Sequence, residues 1–161
     1  MRETTSHTPP RRPPFGAGLL LGLGLGGFVD GIVLHQILQW HHMGSSAGVP
    51  VDTVAGLQTN TLLDGLFHAA TWVLVLSGLI ALWHAVRRGA RLSSRALIGS
   101  GLAGFGLFNL VEGLVNHHIL GLHHVNETVP PDQWLWWDLG FLASGVLLLV
   151  LGYLVSRTGP A

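Results

Sequence analysis

Two stretches of this sequence, VDGIVLHQILQWHHM (residues 29–43) and VEGLVNHHILGLHHV (residues 111–125), set an acid, a histidine five residues on and a double histidine into apolar runs. They align without a gap at a spacing of 82 residues, placing Asp30 on Glu112, His35 on His117, and His41-His42 on His123-His124. Imidazole suits zinc, copper and iron, and carboxylates complete a mixed nitrogen–oxygen ligand set. Cysteine is absent, which excludes disulfides, thiolate sites and iron–sulfur clusters. A pattern retained in two copies fits a ligand met by both halves of the molecule.

Further chemistry-bearing residues lie between and after these stretches. Asn60, Asp64 and His68 are spaced by four, one polar stripe on a helix. Asp138 follows the aromatic run WLWW, and aligning TLLDGLFHAATW with LWWDLGFLASGV puts Asp64 on Asp138. Glycines at 22, 24, 26 and 27 and at 99, 101, 104 and 106 are residues that let membrane helices approach closely.

The elements that must position these groups follow from composition. The 161 residues are 48% hydrophobic and only 10% charged. Apolar runs at 15–40, 62–86, 96–120 and 134–155 each meet the ~20 residues needed to cross a hydrocarbon core. A soluble bundle would show polar outer faces at helical spacing, whereas LLVLGYLV and TWVLVLSGLIALW are apolar all round. The expected fold is an all-α, polytopic membrane four-helix bundle built from two tandem two-helix repeats, about 15–86 and 96–155, within a domain spanning 15–156. Copies that each cross twice are parallel and related by a pseudo-twofold along the membrane normal. Residues 1–14, polar and proline-rich, are expected to form a disordered lead.

All eight basic residues are arginine, at 2, 11, 12, 87, 88, 91, 95 and 157, and none falls in the two histidine-bearing connections. The positive-inside rule then puts both termini in the cytoplasm and the histidines outside. At ~1.5 Å per residue, Asp30 and Glu112 lie about 24–26 Å from the cytoplasmic edge, with Asp64, His68 and Asp138 at similar depth. An unpaired carboxylate facing lipid costs ~2.5–3.5 kcal/mol, so these groups are expected to point inward. On an ideal helix Asp30 and His35 are about 140° apart, so sharing an ion requires a kink or other helices.

The blocks GGFVDGIVLHQILQWHHM, TNTLLDGLFHAATW and LFNLVEGLVNHHILGLHHV, with the WWD start of the last span, resemble a bacterial family of predicted four-span membrane proteins of unknown function. The resemblance runs from Gly16 to Tyr153. It implies a polytopic inner-membrane protein and an association with respiratory oxidase assembly proteins, which favours copper handling.

The expected function is a transition-metal site, for copper, zinc or iron, near the outer face. Its expected ligands are Asp30, His35, His42, Asp64, His68, Glu112, His117, His124 and Asp138. His41, His42, His123 and His124 rank below His35 and His117 because interfacial imidazoles can simply be solvated. His7, His84 and His118 have no symmetric role. Rival readings are acid–histidine pairs that only hold helices together, a metal-ion or proton carrier, and a b-type haem protein ligated by His35 and His117. HHILGLHH and HQILQWHH differ from the HxxxH and HxxHH boxes of membrane desaturases, so no enzyme is assigned. Expected partners are the bilayer, oxidase assembly proteins and further copies of the chain, with no nucleic acid.

Overall fold

A computed structural model describes residues 14–157; the lead expected over 1–14 falls, but for Pro14, outside the described residues, as does His7. Every element among the described residues is a helix: α1 (Phe15–Val29), running on into a π-helical segment, π1 (Asp30–Ile37); α2 (Val54–Arg87); α3 (Ser94–Glu112), running on into π2 (Gly113–Ile119); a single turn (Pro131–Gln133); and α4 (Trp134–Arg157). Four helical stretches are apolar and long enough to cross a membrane, with mean hydropathies of 1.4–2.2 over their most apolar windows. Thr53 caps α2 by accepting from Gly56 N–H, starting that helix eight residues before the apolar run begins. At ~1.5 Å per residue its 34 residues extend about 51 Å, beyond a hydrocarbon core of ~30 Å.

α1 and α3 form the central pair, with α2 packed on α1 and α4 on α3. In the most apolar windows of the inner helices 44% and 50% of residues are buried, against 11% in α2 and α4, whose apolar surfaces therefore face outward. Glycine makes the close crossing possible. A Cβ on Gly22 would overlap the Gly101 carbonyl, and one on Gly104 the Leu19 carbonyl. Flanking contacts follow one scheme: Gly24 meets Thr71 O across α1 and α2, and Gly106 meets Gly145 O across α3 and α4. Such backbone-to-backbone approach gains dispersion that lipid cannot supply to a bulkier seam.

Both inner helices change winding at the acid. The backbone bonds Leu38 N to Val33 O and Leu120 N to Val115 O, each 2.8 Å, span five residues. An i→i+5 pattern places residues five apart on nearly one face, so the 140° separation of an ideal helix does not apply at Asp30/His35 or Glu112/His117. The chain then reverses through left-handed residues, Gln39 (φ 50°) and Gly121 (φ 58°), themselves 82 positions apart. That turn drives the following histidine back into the bundle. The two connections are stitched together: Ser46 and Ala47 N–H donate to Leu122 O at 3.0 and 3.2 Å, and Glu127 N–H donates to Trp40 O at 2.9 Å.

Candidate metal centre

At the end of the bundle opposite all the described arginines, His35, His41, His117 and His123 bring their rings together in the interior. Neighbouring ring centroids are 4.2 Å apart for His35/His41, 4.4 Å for the parallel pair His41/His123, and 4.9 Å for His117/His123. All four are essentially inaccessible, at 0–3% exposure. Asp30, Asp64, Glu112 and Asp138 are buried with them.

Three of the rings hydrogen-bond an acceptor through Nδ1, and the fourth, His117, only faces one. His35 Nδ1 donates to Asp64 at 2.9 Å, and His117 Nδ1 faces Asp138 at 3.4 Å. His41 Nδ1 donates to the Val125 carbonyl at 2.8 Å, and His123 Nδ1 faces the Met43 carbonyl at 3.4 Å, so each half aims a ring of the other. A carbonyl or carboxylate can only accept, which puts a proton on Nδ1 of His35 and His41 and frees their unpartnered Nε2 to carry the lone pair, whereas His123 Nε2 donates to Glu112 Oε1 at 2.9 Å. Outer-shell acceptors of this kind fix the tautomer and the angle of metal-ligating histidines.

The Nε2 atoms point at one another and at two acids. His35 Nε2 is 3.3 Å from Asp30, His117 Nε2 is 3.1 Å from Glu112, and His123 Nε2 is 2.9 Å from Glu112. Both Asp30 oxygens, Glu112 Oε2, the Nε2 atoms of His35 and His41 and both ring nitrogens of His117 are buried without a hydrogen-bond partner. Buried polar atoms are nearly always satisfied, so seven orphans at one point call for a ligand. Donor atoms of His35, His41 and His123 lie within 4.8 Å of one another, as do those of Glu112, His117 and His123.

His41 lies beyond the end of the first span. Burial, with the neighbouring His123 and His35 rings, holds its imidazole down to about 2, so it stays neutral.

Asp64 and Asp138 play the same part in each half. Asp64 also accepts from His42 Nδ1 and Met43 N–H, both at 2.9 Å, and Asp138 from His124 Nδ1 at 2.6 Å and Val125 N–H at 3.0 Å. Phe67 stacks on His35 at 5.7 Å, and Phe141 lies 5.4 Å from His117.

Among known families, the one described as predicted membrane protein (DUF2243) matches residues 17–159. The chain belongs to that family. Comparison with curated proteins and with solved structures finds no match. This DUF2243 protein is accordingly a four-span membrane protein.

Placement of the residues singled out from the sequence divides three ways. Asp30, His35, Glu112 and His117 line the cluster, while Asp64 and Asp138 hold its rings from behind. His42 and His124, with side chains 18% and 26% exposed, sit outside these carboxylates and do not reach the centre. His68 is turned away: its Nδ1 donates to Asp64 O of its own helix at 2.7 Å, and its Nε2 presses on the Gly31 backbone. His41 and His123, ranked low as rim residues, are innermost. The chain reversal at Gln39 and Gly121 that turns them inward did not show in the sequence.

Proposed function

We propose that this DUF2243 protein binds a first-row transition metal through His35, His41, His117 and His123 with Asp30 and Glu112, and that Asp64 and Asp138 position the rings. The observation that carries this reading is the convergence of orphaned imidazole nitrogen and carboxylate oxygen atoms, with His35 and His41 already tied down through Nδ1. Four buried carboxylates and no nearby arginine also leave negative charge that a cation would balance. Nitrogen and oxygen donors suit zinc, copper(II) or iron(II); soft copper(I) prefers the sulfur this chain lacks at the site, which narrows any copper-handling role to the oxidised ion.

Two rivals fit less well. A porphyrin needs a slot between its axial rings, and the His41 and His123 rings fill the space beside His35 and His117. A carrier needs a continuing path, and below the site the Gly22/Gly101 and Gly104/Leu19 backbones meet directly. The one-sided arginines support, by the positive-inside rule, a site on the outer side of the membrane. Metal-depleted protein in mild detergent, offered zinc, copper or iron, tests the proposal: the wild type should take up metal, His35→Ala and His117→Ala should lose affinity by at least ~10-fold, and His84→Ala should match the wild type. Equal uptake by all four proteins would leave the histidines as packing groups.

A further inference from the structure

We infer that the centre is dinuclear, with one ion held by Asp30, His35 and His41 and a second held by Glu112, His117 and His123. The inference rests on the metal reading above and adds nuclearity and ligand assignment to it. Its starting point is that the donors form two trios sharing His123, not one common set. Bonds of ~2.0–2.2 Å place every donor of a single ion within about 4.4 Å of every other, even across the metal. His35 and His41 share no such set with His117 and Glu112.

An imidazole Nε2 offers one lone pair, so His123 serves one ion although it lies within reach of both. Its 2.9 Å approach to Glu112 Oε1 assigns it to the second set. The first set is then His35 and His41, their rings 4.2 Å apart, with Asp30, which belongs to neither trio, 3.3 Å from His35 Nε2. Each set is two imidazoles and one carboxylate taken from a single helix end, acid, fifth residue and eleventh residue, with the π winding closing the first interval and the left-handed turn the second. Such a triad leaves coordination positions open. The His41 and His123 donors lie within 4.8 Å of each other, so ions bound one to each ring are neighbours on the scale of two-metal sites, ~3.5–4 Å.

Titration of metal-depleted full-length protein with cobalt(II) tests the assignment. Uptake should saturate at about two ions per chain, and at about one in Asp30→Asn, His41→Gln, Glu112→Gln or His123→Gln. Manganese(II)-loaded wild type, which needs no variant to fold, should give a spin-coupled resonance. Saturation at one ion per chain with an uncoupled spectrum would overturn the dinuclear assignment and leave the metal reading standing; no uptake at all would overturn both.

Discussion

The ring of His41 is aimed by Val125: its Nδ1 lies 2.8 Å from the Val125 carbonyl oxygen, 84 residues away in the chain. His123 faces the Met43 carbonyl in return, so each half aims a ring of the other. Chain reversal after each inner helix is what allows this exchange, and it ranks His41 and His123 above the adjacent His42 and His124. Replacing His41 or His123 by Gln should therefore lower metal affinity far more than replacing His42 or His118, by at least ~10-fold in a chelator-competition titration. Comparable losses at His41 and His118 would remove the ranking.

Asp64 and Asp138 touch no orphaned Nε2, yet each accepts from an outer histidine and a backbone N–H, and Asp64 accepts from inner His35 while Asp138 faces inner His117 at 3.4 Å. Asp64→Asn and Asp138→Asn keep the shape and lose the charged acceptor. Both should weaken metal binding by ~10–100-fold, the effect of removing an outer-shell partner, while the protein still elutes as folded. Unchanged affinity in both variants would make these acids mere loop anchors.

Much of this was legible in the sequence, for identifiable reasons. Four long apolar runs forced the spans, and the 82-residue recurrence marked Asp30, His35, Glu112 and His117. Helical geometry misled where the helix was not α: the ideal 140° between Asp30 and His35 disappears in π1. It also overrated His68, whose place in the Asn60/Asp64 stripe is real, but whose ring is satisfied by its own helix and faces Gly31. Which member of each double histidine turns inward depends on a positive φ at Gln39, a residue that gives little warning of it.

Glycine packing in the central seam makes a separate prediction about stability. Gly22→Ala and Gly104→Ala put a methyl into a facing carbonyl and should each destabilise by ~1–3 kcal/mol, read as a lower unfolding temperature in detergent. At Gly140 a Cβ meets nothing within 4 Å, and Gly140→Ala should unfold at no lower temperature than the wild type. A larger loss at Gly140 than at Gly22 would contradict the packing described.

Acid sensitivity follows from His41. Folded, its imidazole titrates at about 2; unfolded, it returns to 6.5. The unfolded chain therefore takes up a proton that the folded one refuses, so this contribution is complete above about 6.5 and is lost as the pH falls below that value. Protons also compete with metal for imidazole lone pairs, so release should begin somewhat below ~6.5. Melting curves of metal-free and metal-loaded protein between pH 8 and 5 check both effects, and His41→Gln should flatten the metal-free series. A wild-type melting temperature constant across that range would be the wrong sign of result.

Orientation can be read without disturbing the site, because the chain has no native cysteine. Asp52→Cys, in the histidine-side connection, should react with an impermeant maleimide added outside intact cells, and Leu92→Cys only after permeabilisation. The reverse pattern would put the centre on the cytoplasmic face.

The most direct measurement is elemental analysis of the wild-type protein purified at neutral pH in mild detergent. Copper, zinc or iron should accompany the protein in at least stoichiometric amount, and acidification should strip it. A protein that emerges free of metal, and takes up none of the three when they are supplied, contradicts the account and reduces the cluster to ion pairs that fasten the helices together.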